Sequence, residues 1–490
     1  MSDAVTAQVV VVGGGPVGLL IAAELGAFGV DTVVCEARST VSDAPKANTL
    51  HARTVQSLTR RGYLDAPAAG AASERPFHFA GMPGLTMTSP AGEPEPLMKR
   101  LQADLERSFE ALARERGVRV LRGHRVVRVR QDADGVVASA EGPDGPTELR
   151  AEYLVGADGP RGVVRTEAGM GSETFPATVA ALMGLVRLRD PEALPPGWHM
   201  TRRGWVVSRD TPEGLRLVRT VNCSGEHPDR RVPVTLEELA AEVSLIAGHE
   251  VAFTEGRHLT RFSDFTRIAD SFRAGRVFLA GDAAHLHFPI GGQGLSTGLL
   301  DALNLAWKLA LAVRGSAGKD LLDTYDLERR PAARRVVDNT RAQLALMRPE
   351  AGLDPLRTLV TDLLADPAHH GYLAGLISAQ DTRYVARSVS GSQWEGRFLD
   401  NTALTTPTGP QDVIGLLRDG RPTLLLTGAA ADRYATAAAA WSPVLRTVRV
   451  AAGSALPCEA LLVRPDGYLA WAQDGDDLTE TLRTWFGEPC

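Results

Sequence analysis

The spacing of apolar positions changes along this chain, and each change marks a different expected element. Val9 to Val12 are four consecutive apolar residues that run into Gly13, the texture of a strand buried on both faces, as in parallel sheets. "PVGLLIAAELGAFG" follows with helical spacing, and Thr32 to Cys35 form a second apolar strand that ends at Glu36. This predicts a β-α-β unit. Residues 46–65 read as a loop and a helix, and 97–116 as a helix carrying Gln102, Leu105 and Glu106. Alternation resumes around Asp134-Gly135, a hairpin signal, and "AEYLVGADG" is another buried strand.

From about 175 to 268 the texture is that of alternating strands with charged turns, as in "GWVVSRDTPEGLRLVRTV". That predicts a mainly antiparallel sheet. "RVFLA" then arrives as a strand and halts at Gly281-Asp282, and "GDAAHLHFPIGGQGLSTG" separates it from a long buried helix to about Val313. A polar helix is expected from Leu321 to about Met347. Near the C-terminus "RPTLLLTG", "SPVLRTVRV" and "EALLVRPDGYLAWA" are strands with helices between and after them. The fold class is α/β, with a Rossmann-like domain of residues 1–174 and 269–395, a sheet domain of 175–268 and a C-terminal α/β domain of 396–490.

Composition narrows the function classes. With 490 residues and a net charge of -6, the chain has no basic footprint for nucleic acid. Basic runs such as "ERRPAARR" sit among acids and read as solvated helix faces. Cys35, Cys223, Cys458 and Cys490 lie far apart without CxxC or metal-ligand spacing, which fits a reduced, cytoplasmic compartment. No apolar run approaches the ~18 residues of a membrane span. The N-terminal segment has no basic n-region, so it is expected to be a strand and not a signal peptide. No membrane partner is expected.

The glycines carry the chemistry. In the first unit Gly13 permits a tight turn, Gly15 leaves room for a pyrophosphate, and Gly18 allows close helix-strand packing. The helix N-terminus offers free N–H groups to phosphates, and Glu36 can accept from ribose hydroxyls. Such a unit holds NAD(P) or FAD. The stretch at 281–298 decides for a flavin: Asp282 can accept from a polyol such as the ribityl chain, and the glycine-rich amides before a helix suit the electron-rich pyrimidine edge of an isoalloxazine.

On these residues the sequence resembles the FAD-dependent aromatic hydroxylases with the p-hydroxybenzoate hydroxylase fold, the class A flavoprotein monooxygenases. "VVGGGPVGL", "YLVGADGPRGVVR" and "GRVFLAGDAAHLHFPIGGQGLSTGLLDALNLAWKL" match in order, as do Gln102, "LLDTYDLERRP" and "LLVRPDGYLAW". The last is similar to the aromatic-polyketide and phenol hydroxylase branch, which implies a C-terminal thioredoxin-like domain without redox cysteines. The resemblance further implies that Gly13, Gly15, Gly18 and Glu36 bind the ADP half of FAD. Gln102 would approach the pyrophosphate or ribityl region, and Asp282 a ribityl hydroxyl. Pro289 would lie against the flavin ring, with Gly294 and Leu295 offering amides to it. Asp158 and Gly159 would serve FAD and the passage of NAD(P)H, with Arg165 structural or helping there. Lys46 stands where the family often has Arg, Gly162 where it has Ser, and Ser296 where it has Asn. His285 is expected to position its loop. His285 and His287 lack metal-ligand company, and no metal is expected.

The reaction implied is transfer of one oxygen atom from a flavin C4a-hydroperoxide to an electron-rich ring carbon, with NAD(P)H, NADPH in preference, as transient donor and O2 as co-substrate. No second dinucleotide unit is present for the nicotinamide. The substrate is expected to be a small aromatic molecule, an aromatic polyketide or related polycyclic phenol, held by Met183, Trp198, Met200, Trp205 and Phe262 of the 175–268 sheet. Baeyer-Villiger insertion on the same scaffold, or a non-catalytic flavin-binding protein, are the alternatives. A monomer or homodimer is expected.

Overall fold

A computed structural model describes residues 5–66, 72–223, 232–387, 391–452, 454–475 and 477–489; Cys490 lies outside them. Its main sheet holds five parallel strands in the spatial order Val277–Leu279, Tyr153–Gly156, Val9–Val12, Thr32–Glu36 and Arg119–Arg122. Val9 to Val11 are fully buried, as their unbroken apolar run requires. The second strand in sequence lies on one side of Val9–Val12 and the Tyr153–Gly156 strand on the other. The strand order therefore reverses at the carboxyl end of Val9–Val12, where open α/β sheets form their ligand crevice.

The Pro16–Ala27 and Gln293–Val313 helices pack directly on each other. Glycine makes this approach possible: a Cβ at Gly298 would stand 2.7 Å from Val17 Cγ2, and one at Gly18 would stand 2.0 Å from the Gly13 carbonyl oxygen.

A five-stranded antiparallel sheet forms a second layer, in the order Gly197–Thr201, Gly204–Asp210, Arg216–Asn222, Ala180–Leu188 and Phe253–Ser263. One face buries Leu182, Val186, Val206 and Val218 against Leu239, Val243 and Ile246 of the Leu236–Ala247 helix. That helix begins at Thr235, whose hydroxyl accepts from Glu238 N. On the opposite face Ala181, Trp205 and Val221 pack with Phe288 and Ile290 of the glycine-rich 281–298 segment.

Four local expectations are corrected. Residues 97–116 are not one helix: Leu97–Lys99 is a strand paired with Thr49–His51, and the helix starts at Gln102. The hairpin Ser73–Phe79 with Met82–Ser89 was not anticipated; the Asp354–Ala365 and Pro367–Ser378 helices pack on it. "EALLVRPDGYLAWA" is two antiparallel strands, Ala460–Val463 and Leu469–Ala472, because "RPDG" turns the chain. The Asp323–Met347 helix is less polar in its surroundings than in its composition, since Glu328 and Arg329 are buried and paired.

The C-terminal sheet has the order Arg446–Arg449, Thr423–Leu426, Ala460–Val463, Leu469–Ala472, its first pair parallel and the others antiparallel. With the Ala431–Ala438 and Leu478–Phe486 helices this is the thioredoxin-like arrangement. Its core continues into the rest of the molecule: Trp307, Leu311 and Leu321 join Leu424, Leu462, Trp471 and Trp485, and the Trp307 and Trp485 rings stack 6.0 Å apart. Among the described residues no helix is long and apolar enough to cross a membrane.

Candidate active site

Gly13, Glu36, Asp158 and Asp282 come from distant parts of the chain, and all lie at or just beyond the carboxyl ends of the parallel strands. Gly13 has φ +108°, and a Cβ there would stand 2.3 Å from the Ala157 carbonyl oxygen, so only glycine fits. Gly15 caps the Pro16–Ala27 helix in extended conformation, and nothing lies within 4 Å of where its Cβ would be. One glycine is demanded by packing and the other by open space. Glu36 is fixed to the same loop: Oε2 accepts from Gly14 N at 2.6 Å and Oε1 from Arg38 N at 2.8 Å.

Across the crevice, Asp158 Oδ2 accepts from Val164 N at 3.0 Å, while Oδ1 is buried with no partner. Burial raises its carboxyl above the ordinary value. A Cβ at Gly162 would stand 2.0 Å from Asp158 Cγ, which accounts for glycine there. Asp282 follows Gly281 in a short turn and is reached by solvent, yet enough protein crowds it to raise its carboxyl; His285, Lys46 and Arg267 pull the other way. Lys46 is thus brought near Asp282. Gln102 turns along its own helix, donating to Glu106 Oε1 at 2.7 Å, and Arg165 donates to Met170 O at 3.0 Å.

The 281–298 loop is held from behind by a residue that sequence reasoning missed. Asp301, about two turns inside the helix, accepts from Gly281 N at 3.0 Å and pairs with His285 Nε2 at 2.7 Å and Arg329 Nε at 2.8 Å. Burial opposes its charge, but His285 and Arg329 prevail and lower its carboxyl below the ordinary value. His285 is therefore a loop-positioning residue. The available signal was the acid itself, alone in the apolar "LLDALNLAWKL".

Gly291 and Gly292 have φ +70° and +65°, and Gly292 caps the Gln293–Val313 helix. Ser296 Oγ accepts from His51 N at 3.1 Å, and His51 Nε2 donates to Gly291 O at 2.7 Å, so the Thr49–His51 strand buttresses the turn. Pro289 is exposed and Leu295 buried. His287 lies against Gly294, 3.5 Å from where a Cβ would stand. Its Nδ1 donates to Phe288 O at 3.0 Å, its Nε2 has no partner, and burial pushes it down to about 4, so the ring is neutral. The crevice thus presents two helix N-termini, an open glycine, and unpartnered oxygen and nitrogen atoms at Asp158 and His287. These features fit a dinucleotide with a polar heterocycle.

Cross-strand register settles where the expected substrate residues point. Met200 faces Trp205, Trp198 faces Val207, and Phe262 faces Ala181, while Met183 and Val207 both flank Arg219. Since side chains alternate, Met183, Trp198, Met200, Trp205 and Phe262 share the face opposite the Leu236–Ala247 helix. Phe262 stacks on Phe288 of the glycine-rich loop at 5.8 Å. Trp198 meets Trp205 at 5.9 Å and His78 at 4.6 Å. The unanticipated hairpin closes this wall: a Cβ at Gly81 would stand 2.9 Å from Trp205 and 3.1 Å from Trp198.

Comparison with known proteins agrees with this geometry. Residues 6–340 match the FAD binding domain family, and 392–489 match the aromatic-ring hydroxylase C-terminal family. The chain is 38% identical to the 12-dehydrotetracycline 5-monooxygenase/anhydrotetracycline 6-monooxygenase of Streptomyces rimosus, over 98% of this chain and 99% of that one. It superposes on OxyS anhydrotetracycline hydroxylase from Streptomyces rimosus with TM-score 0.89 at 37% identity, covering 99% of this chain and 100% of that one. A ternary complex of aklavinone-11 hydroxylase with FAD and aklavinone matches with TM-score 0.76 at 27% identity, covering 99% of each chain. An FAD-type dinucleotide crevice closed by an aromatic sheet face, on a chain matched from end to end, makes this protein a member of the flavin-dependent aromatic monooxygenases.

Proposed function

We propose that the protein hydroxylates a fused-ring aromatic polyketide or related polycyclic phenol, using FAD, NAD(P)H with NADPH preferred, and O2, as a cytoplasmic enzyme. The observation that carries this reading is the continuity between the two halves of the site. The aromatic face of the sheet reaches the glycine-rich loop through Phe262 and Phe288, so a flat ring bound on that face lies beside the loop. The relatives named for anhydrotetracycline and aklavinone support the substrate class.

Bound FAD supplies the redox chemistry, activating O2 after reduction. The chain's own residues then bind, orient and exclude water. Gly13, Gly15, Gly18 and Glu36 would hold the ADP half, and Lys46, Gln102, Asp158 and Asp282 the pyrophosphate and ribityl region. Pro289, Gly294 and Leu295 would border the ring, where the helix N-terminus stabilises negative charge. Met183, Trp198, Met200, Trp205 and Phe262 would bind the substrate in a dry slot.

The test is direct. Purified protein should carry yellow flavin that NADPH bleaches faster in the presence of a fused-ring phenol, and the product should be one oxygen atom heavier with its ring intact. A lactone product would replace hydroxylation by Baeyer-Villiger insertion. Flavin that neither NADPH nor NADH reduces, with any phenol tried, would overturn the reading.

A further inference from the structure

The aromatic face also carries charge. Arg209 lies opposite Leu217, and Arg219 lies opposite Val207 and Met183, so both share the face of Trp205 and Val207. Lys99 faces them from the Leu97–Lys99 strand: burial, then Arg209 and Arg219, pull its ammonium down to about 8. Burial, then Arg209, pull Arg219 down to about 10. The neighbouring imidazoles add no counter-charge, since His51 and His78 are both held near 4 and are neutral.

None of the three cations has a carboxylate partner among the described residues. Lys99 Nζ donates to Thr49 Oγ1 at 2.6 Å, and Arg219 Nε donates to Met183 Sδ at 3.2 Å, a weak acceptor. Several buried cations elsewhere have carboxylate partners: Arg60 has Glu93, Arg61 has Glu24, Arg329 has Asp301, and Arg464 has Glu328 and Asp466; of the three here Arg219 is half-buried, and Arg209 and Lys99 are exposed. Crowding like charges without a counter-ion costs stability. A cleft lined by one sign of charge also attracts ligands of the other sign.

Building on the aromatic-hydroxylase reading, we propose that Arg209, Arg219 and Lys99 form an anion-recognition site on the cavity face, and that the aromatic substrate binds as an oxyanion. The charge sits on a ring carboxylate or on an ionised phenol. Trp198, Trp205 and Phe262 take the apolar surface of the rings while the guanidinium groups take the oxyanion, for which their planar fork is suited.

The experiment measures binding to the FAD-loaded protein without turnover, by quenching of tryptophan fluorescence. Two matched probe pairs separate the sources of charge: a hydroxyanthraquinone carboxylic acid with its methyl ester, and an acidic hydroxyanthraquinone with its methyl ether. The wild type should bind the anionic member of at least one pair roughly tenfold tighter or more. Arg219→Gln and Arg209→Gln should each shrink that ratio severalfold while the neutral member's Kd and the flavin content stay the same. Lys99→Met on its exposed strand gives a third reading should an arginine variant fail to fold.

Equal affinities within both pairs, or a ratio that survives all three substitutions, would overturn the proposal. So would competitive displacement of the anionic probe by 2′-phospho-ADP-ribose, which would assign the cations to the nucleotide donor. Because no oxidation is involved, a protein that discriminates charge but never oxidises NAD(P)H would retain this site and lose only the hydroxylase reading.

Discussion

Gly15 and Gly18 stand three residues apart in one motif, and the structure gives them different work. A Cβ at Gly18 would collide with the Gly13 carbonyl oxygen at 2.0 Å, whereas at Gly15 it would meet nothing within 4 Å. Gly18→Ala should therefore cost about 1–3 kcal/mol of stability through overpacking, read as a lower melting temperature. Gly15→Ala should leave the melting temperature of the flavin-free protein unchanged and reduce flavin retention, because the open space belongs to the ligand. Flavin content and thermal melting of the two variants separate these effects, and equal behaviour would remove the distinction. These glycines, Glu36 and Asp282 were legible in the sequence because their chemistry is local to a turn. Arg209, Arg219 and Asp301 were not, since their meaning depends on partners, or the lack of them, on other elements.

The helix beginning at Gln293 shows which elements sequence reveals. Its apolar density marked it to within a residue at its C-terminal end, because a buried helix of this length needs little help from its neighbours to be recognised. The Leu97–Lys99 strand escaped because three residues carry little pattern of their own, and the Ser73–Ser89 hairpin because Pro76, Pro83 and Gly84 interrupt its alternation. The shared face of Trp198, Met200, Trp205, Met183 and Phe262 could be resolved only once register was known. At this scale Asp301 is a joint, tying the Gly281 turn to the Gln293–Val313 and Asp323–Met347 helices. Asp301→Asn keeps the shape but leaves Arg329 buried without its carboxylate. It should cost about 3–5 kcal/mol of stability, read as a large fall in melting temperature. A fall no larger than that of an exposed substitution such as Asp338→Asn would show that the joint is dispensable.

Across the whole molecule, a second buried cluster fastens the C-terminal domain. Glu328 accepts from Arg464 at 2.7 and 2.8 Å and from Lys308 at 2.8 Å, while Asn304 donates to both Glu328 and Asp466. Burial pushes the Glu328 carboxyl up, but Arg464 and Lys308 outweigh it and hold it at about 2, below the usual 4.5. A carboxyl depressed by folding contributes stability above 4.5 that is lost as pH falls from there toward 2. The melting temperature of the wild type should thus exceed that of Glu328→Gln at neutral pH, and the gap should narrow as pH drops below 4.5. A gap constant across this window would mean that Glu328 is not charged in the fold. The fastening matters because the Gln293–Val313 helix spans 21 residues, about 30 Å at 1.5 Å per residue. Its first amides border the crevice, while toward its far end Trp307 sits in the C-terminal core and Lys308 pairs with Glu328. A yellow protein built this way carries its own strain gauge: loosening of the distant domain should register as a change of colour, before any loss of folded protein is seen.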